Sequence, residues 1–262
     1  IERAQIEYRP LDDGSVVISA GKIDSVLGVE YRAQDAPSRL GVTPSLVCRY
    51  TCGRPLGVDA RYVRGPLSMS AELADSDLFV DRFEPHPSLH PTAAPTGAGH
   101  VQWTFPVGDG LELGISGALG PQANQSNASL VQWHLGFDAR LRGIAGFDVT
   151  AEYVQGRQPG ATMTVPCDLA PCLHYKGGYV LVDRRVNSWL IPYVRADWRD
   201  AVHAEGVQFL YEVHVARATL GARFAVTSRI LAKLEYTFNR ELGNIPEFPD
   251  DILTSSLVVA TD

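Results

Sequence analysis

The sequence lacks two features that mark common classes of protein. Although 45% of its 262 residues are hydrophobic, it contains no run of 18 apolar residues, so no stretch of it can form a transmembrane helix. It also lacks a basic excess, since its formal net charge is −7, and this argues against nucleic acid as the main partner. The class of protein has to be inferred from finer patterns.

Methionine and cysteine are also scarce, with 2 Met and 4 Cys against 24 Gly and 17 Pro. Glycine and proline favour turns, so this composition suits a fold of many strands. The cysteines lie in the segments VCRYTCG and PCDLAPC, and neither has the C-x2-C spacing of a zinc site. We therefore expect no metal and no cofactor. Disulfides are expected in an oxidising compartment, with their pairing open; the candidates are Cys48, Cys52, Cys167 and Cys172.

Two segments of the stretch Leu130–Gln155 alternate apolar with polar residues. The first, LVQWHLGFDARLR, places its apolar side chains on one face and its polar or charged side chains on the other. After the break GIAG, the alternation resumes in FDVTAEYVQ. Because side chains of a strand point alternately to opposite sides, this pattern predicts a hairpin with one apolar and one charged face. Strands of about 9–11 residues with this pattern can cross a bilayer in a β-barrel.

The same alternation recurs in about thirteen segments along the chain, joined by alternately short and long connections. Short turns at one rim and long loops at the other are typical of outer-membrane barrels. We predict an all-β protein, a single antiparallel up-and-down transmembrane β-barrel domain over residues 1–262. The first segment, IERAQIEYRPL, has no signal-peptide core and begins in mid-strand. We therefore expect missing N-terminal strands and about 14–16 strands in the complete protein.

A soluble β-sandwich or jelly roll, for example a carbohydrate-binding module, is the alternative. It would bury the apolar stripes between two sheets and leave edge strands, whereas a barrel turns the stripes to lipid and has no edges. A meander of long strands without a Greek-key crossover favours the barrel.

Three segments resemble outer-membrane porins of Gram-negative bacteria: AGKIDSVLGVEYR (Ala20–Arg32), LEYTFNRE (Leu234–Glu241) and the closing DILTSSLVVAT (Asp251–Thr261). The resemblance implies an outer-membrane location and a water-filled channel for passive diffusion of small hydrophilic solutes or ions, without enzymatic activity. It also implies outer-membrane lipid as a partner and a homotrimer as a candidate assembly. One feature departs from it, because such barrels commonly end in an aromatic residue and this chain ends Ala-Thr-Asp.

Charged residues of both signs collect on the polar faces of the predicted strands. In a wide lumen these charges meet water and avoid the cost of burial in hydrocarbon. Rings of basic side chains can bias a pore toward anions, but the mixed signs favour a wall with little selectivity. We expect at most a weak anion preference. The predicted pore-lining residues are Arg9, Arg61, Glu112, His134, Asp138, Arg140, Glu152, Arg195, Arg217, Arg223 and Lys233.

The long segment Ser25–Pro55 is too long for a hairpin turn, and such loops are usually functional or disordered. Loops at the outer end of a barrel can fold inward and narrow it. Its candidate constriction charges are Arg32, Asp35, Arg39 and Arg49. An external loop with surface charges accounts for the same residues equally well.

Signals for enzymatic or metal chemistry are weak. His86 and His90 lie in a proline-rich segment without a third ligand nearby in sequence, so an exposed loop is favoured over a metal site. Ser116 and His134 fall on the polar faces of neighbouring strands, but no nucleophile-elbow motif accompanies them. We therefore predict that the protein is not an enzyme.

Overall fold

The computed structural model describes residues 4–33, 35–74, 95–121, 131–158, 172–204, 210–242 and 250–259. These residues contain thirteen strands, one short 3-10 helix (Glu30–Ala33) and one helical turn, α1 (Cys48–Thr51). None of the described helices is long and apolar enough to cross a membrane. The strands are β1 (Ala4–Tyr8), β2 (Val16–Lys22), β3 (Leu56–Arg64), β4 (Leu67–Ala74), β5 (Thr96–Phe105), β6 (Gly110–Pro121), β7 (Val131–Ile144), β8 (Phe147–Gln158), β9 (Cys172–Arg184), β10 (Leu190–Ala204), β11 (Leu210–Ala225), β12 (Ile230–Glu241) and β13 (Ile252–Val259).

All thirteen strands belong to one antiparallel sheet whose spatial order follows the chain order from β1 to β13. Each strand pairs with its sequence neighbours, so the predicted meander is confirmed. The connections alternate as predicted over most of the chain, with short connections after the odd-numbered strands and longer ones after β2, β4, β6, β8 and β12. The exception is the five-residue connection after β10. The β7–β8 turn shows how tight the short connections are. There, Ala145 and Gly146 adopt positive φ values of 52° and 78°, a left-handed backbone that suits a two-residue hairpin turn.

The two faces of the sheet have opposite polarity, and the apolar face is the exposed one. On β11 and β12, Leu220 is 58% exposed and Phe238 is 43% exposed, whereas the neighbouring Thr219 and Thr237 are 2% and 4% exposed. A soluble sandwich would require the reverse burial, because its apolar stripes form the core. An apolar outer face with a polar inner face is the arrangement of a transmembrane barrel.

Some predicted boundaries were wrong. The alternating pattern ended at Gln155, but β8 continues to Gln158, and β9 begins at Cys172. Glycine favours turns, yet Gly177 has a packing reason to lie within a strand. A Cβ atom at Gly177 would stand only 3.0 Å from a methyl group of Val47 and 2.7 Å from the carbonyl oxygen of Trp198, so the glycine makes room for a segment packed against the inner face.

Candidate functional site

The connection between β2 and β3, residues 23–55, lies against the polar inner face of the sheet and is called the inner segment below. Its two ends are held together because the Ile23 amide donates to the Pro55 carbonyl and the Ser25 amide donates to the Gly53 carbonyl, both at 3.0 Å. Between these bonds much of the segment is buried: Val26, Leu27, Val29 and Val47 are all 0% exposed, whereas residues 35–38 are exposed. The inner segment is therefore not an external loop.

Side chains of the wall bind the backbone of the first half of the inner segment. The amide of Val26 donates to Glu72 of β4 at 3.1 Å, and the amide of Val29 donates to Glu152 of β8 at 3.2 Å. Between them, Gly28 has a positive φ of 67° and donates its amide to the hydroxyl of Ser116 on β6 at 3.3 Å. Wall carboxylates thus accept hydrogen bonds from backbone groups that would otherwise be buried without partners.

Carboxylates hold the second half of the inner segment in the same way. Glu235 of β12 accepts the amides of Val42 at 2.7 Å and Thr43 at 2.9 Å. Asp197 of β10 accepts the amide of Leu46 at 3.1 Å. Hydrogen bonds to an ionised acceptor are stronger than those between neutral groups, so these two acids are major attachment points.

Two basic side chains of the wall bind carbonyl groups of the same half. The ammonium of Lys233 donates to the carbonyls of Ala36 at 2.5 Å and Gly41 at 3.3 Å, and also to that of Arg39. The guanidinium of Arg195 donates to the carbonyl of Thr43 at 2.9 Å while its Nε pairs with Asp197 at 2.8 Å. The charged side chains on this part of the wall therefore hold the backbone of the inner segment in place.

An aromatic contact completes the attachment. Tyr50 of α1 stacks on Tyr175 of β9, with ring centroids 3.8 Å apart and planes inclined by 10°. The two rings belong to a buried apolar cluster with Val47, Val154, Tyr179 and Ala201. A disulfide joins Cys48 to Cys52 across this turn.

The two halves of the inner segment are also bonded to each other. The carboxylate of Glu30 accepts the backbone amide of Ser45 at 2.8 Å and the hydroxyl of the same residue. Burial raises the pKa of the Glu30 carboxyl above its ordinary value, and the nearby Arg195 opposes the rise only in part.

A cavity of about 320 Å³, called the arginine chamber below, lies between the inner segment and the wall. Arg142 and Arg223 lie near the ends of strands that lead to short turns, and Arg185 lies in the β9–β10 turn, so the chamber faces the short-turn rim. Arg140 and Arg223 make no ion pair with any described residue. The charged lining comprises Arg39, Arg140, Arg142, Arg185, Arg195 and Arg223 with the acids Glu30, Asp148 and Asp183.

The residues predicted to line a pore fall into three groups. Arg140 and Arg223 line the arginine chamber, as does Arg195, which also belongs to the third group. Others have partners on the wall: Arg61 pairs with Asp59 at 2.9 Å, Glu112 pairs with Arg142 at 2.8 Å, Asp138 bonds to His100 at 2.8 Å, and Arg217 bonds to the neutral amide of Asn239 at 2.9 Å. A third group lies buried beside the inner segment, namely His134, Glu152, Arg195 and Lys233.

One residue is not on the wall at all. Arg9 lies beyond the end of β1, in the β1–β2 connection, and its side chain is 66% exposed with Glu7 at 3.6 Å. The alternating pattern placed Arg9 in the first strand, but β1 ends at Tyr8. Pro10 has no amide hydrogen to donate to a neighbouring strand, so it ends the strand.

The four predicted constriction charges have different surroundings. Arg39 lines the arginine chamber, whereas Arg32 is exposed and bonds to the hydroxyl of Tyr31 at 3.1 Å. Asp35 pairs with Arg54 at 2.6 Å, and Arg49 is half-buried in α1.

Several residues that fix the site were missed by sequence reasoning. Glu72, Asp197 and Glu235 hold backbone amides, while Tyr175 and Tyr193 sit on the wall beside the inner segment, Tyr193 donating to Glu235 at 2.6 Å. The acids lie on the predicted polar faces, but the alternating pattern does not distinguish an acid that faces water from one that binds backbone amides.

Some of the other candidate residues lie outside the described residues. Cys167, His86 and His90 are outside the described residues, and Cys172 is the first residue of β9. Ser116 accepts the Gly28 amide, and His134 bonds to the hydroxyl of Tyr175 at 2.9 Å.

Comparisons with known proteins agree with this architecture. No protein-family model matches the chain, and neither does any curated sequence. Among solved structures, in-vitro folded OmpT, an outer membrane protein of Vibrio cholerae, matches with a TM-score of 0.59 at 11% identity, over 86% of this chain and 66% of that one. An anion-selective porin from Comamonas acidovorans matches with a TM-score of 0.58 at 10% identity, over 95% of this chain and 71% of that one. The fold is that of an outer-membrane β-barrel.

A third match, a porin, has a TM-score of 0.51 at 16% identity over 93% of this chain and 76% of that one. The chain thus spans about two thirds to three quarters of the length of these barrels. At such identities the likeness shows the fold, and function has to be argued from the site.

Proposed function

We propose that this protein is an outer-membrane porin that lets small hydrophilic solutes or ions diffuse passively through a channel narrowed by the inner segment. The observation that carries the proposal is the attachment of residues 23–55 to the polar inner face by wall side chains from β4 to β12. A segment in that place reduces the free cross-section of the lumen. The charged groups around it leave a polar path, which suits ions and polar solutes.

A weak anion preference forms part of the proposal. Six arginines and three carboxylates line the arginine chamber, and basic linings lower the energy of an anion relative to a cation. Other charges of the wall form ion pairs, such as Arg61 with Asp59 and Lys176 with Asp200, and such pairs contribute little net field. The similarity to an anion-selective porin supports this direction at the level of fold.

The proposal also places the protein in the outer membrane. In this position membrane lipid covers the exposed apolar face, and the short-turn rim faces the periplasm. A homotrimer is proposed as the assembly, since one of the similar structures is a trimer form. We propose no catalytic activity and no cofactor; in support, Ser116 and His134 are both engaged in contacts that secure the inner segment and the wall.

Planar-bilayer recording tests the channel and its selectivity together. Purified protein should give stable ohmic conductance steps, and a salt gradient should give a reversal potential with a slight anion preference. Arg140→Glu with Arg223→Glu should lower the anion-to-cation permeability ratio by at least about twofold, because both guanidinium groups line the chamber.

Arg64→Glu is the matched control, because Arg64 is an exposed arginine at the β3–β4 turn and its reversal changes net charge without changing the chamber. Absence of conductance in every preparation would exclude the channel. An equal shift of the reversal potential in the control and the double variant would mean that the ions do not pass through the arginine chamber.

A further inference from the structure

The helical turn α1 is a weak element placed at a critical contact. It has only four residues, and its N-cap Val47 makes no side-chain capping bond. An isolated helix of this length is unstable in water. Three links hold the turn: the Tyr50 amide donates to the Val47 carbonyl at 2.8 Å, the Cys52 amide donates to the Cys48 carbonyl at 2.8 Å, and the disulfide joins the two cysteine side chains. The disulfide is the one covalent link among these three.

The turn carries the aromatic anchor of the inner segment. Tyr50 lies between the two cysteines and is only 4% exposed, since its ring is stacked on Tyr175 of β9. If α1 loses its shape, the Tyr50 ring loses the backbone that aims it at the wall. The wall itself does not depend on α1, because β9 is paired along its length with β8 and β10.

A chain of contacts leads from α1 to the arginine chamber. The Cys48 amide donates to the Ser45 hydroxyl at 3.1 Å, and Ser45 in turn donates to the Glu30 carboxylate. Glu30 is one of the acids that line the chamber. The Glu30 carboxylate also lies near the disulfide, with an oxygen within 4.8 Å of both sulfur atoms. Motion of α1 is thereby coupled to the chamber lining.

We propose that the Cys48–Cys52 disulfide is a redox-sensitive clasp, which when closed holds the inner segment against β9 and when reduced lets α1 and the chamber lining fluctuate. The consequence for ion current rests on the proposed channel function, whereas the loosening of α1 does not. The proposal concerns this pair of cysteines alone.

The chemistry is an exchange with a dithiol reductant. A thiolate of the reductant attacks one sulfur and breaks the Cys48–Cys52 bond, and the second thiol of the reductant then displaces the mixed disulfide. The reductant ends as a disulfide, and the two electrons and two protons that it loses convert Cys48 and Cys52 to thiols. Both cysteines are buried, at 3% and 2% exposed, so the reductant can attack only when α1 opens locally. Burial also favours the neutral thiol over the nucleophilic thiolate, so re-formation of the disulfide should be slow enough for the reduced state to be measured.

Hydrogen exchange tests the clasp without reference to conduction. The protein carries Cys167→Ser and Cys172→Ser throughout, so that only one cysteine pair can react, and alkylation followed by mass measurement counts the thiols. After reduction, and equally in a Cys48→Ser/Cys52→Ser variant, amides in residues 45–52 should exchange at least about threefold faster. Amides of β3 should keep their rates. Equal protection of residues 45–52 in oxidised and reduced protein overturns the proposal.

Bilayer recording of the same preparations tests the consequence. Reduction should raise the variance of the open-channel current at least about twofold, and the double serine variant should show the raised variance without reductant. Tyr50→Ala in the oxidised protein should reproduce it, because the anchor is then absent while the clasp is closed. Equal variance in all forms, together with faster exchange, would disprove the coupling to the channel; silence of every form would disprove the channel and leave the exchange result standing.

Discussion

At the scale of single residues, Glu235 shows how a charge on the inner wall is used. Its carboxylate accepts the amides of Val42 and Thr43 and the hydroxyl of Tyr193, at 2.7, 2.9 and 2.6 Å. These groups are all donors, and the two amides belong to the inner segment, so the carboxylate is an acceptor site for that segment. This role cannot be inferred from the charge of the side chain and its place on the polar face alone.

Glu235→Gln should loosen the attachment of the inner segment, because the amide nitrogen of glutamine is itself a donor and cannot accept from these groups. The expected local cost is about 1.5–3 kcal/mol, the range for hydrogen bonds to a charged group. Hydrogen exchange of residues 40–46 measures it.

Thr237→Val is the matched control on the same strand and face. The hydroxyl of Thr237 is buried and has no partner among the described residues, so its loss should leave the exchange rates of residues 40–46 unchanged. Equal rates in the wild type and the glutamine variant would show that the carboxylate is not a significant anchor.

At the scale of elements, each strand has one apolar face that suits lipid and one polar face that suits the interior of the barrel. Outer-face side chains such as Val194 of β10 are half exposed, while the adjacent Arg195 is 6% exposed. The alternation is maintained over long strands, and β10 and β11 pair through fifteen residues. A charge placed on the apolar face therefore meets hydrocarbon at a depth fixed by its position along the strand.

Val194→Lys and Val186→Lys separate depth from exposure. Val194 is 50% exposed within β10, and Val186 is 56% exposed in the β9–β10 turn at the rim. The first change should destabilise the protein in lipid vesicles by about 2–4 kcal/mol and the second by about 0–1 kcal/mol. Urea unfolding in vesicles measures both free energies. Equal losses for the two variants would mean that β10 does not cross the hydrocarbon at Val194.

At the scale of the whole molecule, the sequence predicts the barrel well because its signal is repeated. Period-two alternation recurs strand after strand, and each tight turn fixes the register of the next pair, as at Ala145 and Gly146. The course of the inner segment had no such signal. Its attachments join residues as far apart in sequence as Val42 and Glu235, and they are made by backbone amides, which every non-proline residue has. Sequence reasoning could identify Ser25–Pro55 as a long segment but could not choose between its inner and outer positions.

Removal of the inner segment is the test that belongs to the whole molecule. Ser25 and Gly53 are already paired at its base, so replacing residues 26–52 with Asn-Gly should close β2 and β3 as an ordinary hairpin. The lumen should widen, and single-channel conductance should rise at least about twofold. Selectivity should also move toward cations, because Glu72, Glu152, Asp197 and Glu235 would lose their amide partners and face water. The control replaces the exposed turn at residues 12–14 with Asn-Gly and should conduct like the wild type. Unchanged conductance and selectivity in a folded deletion variant would mean that the ions do not pass the inner segment.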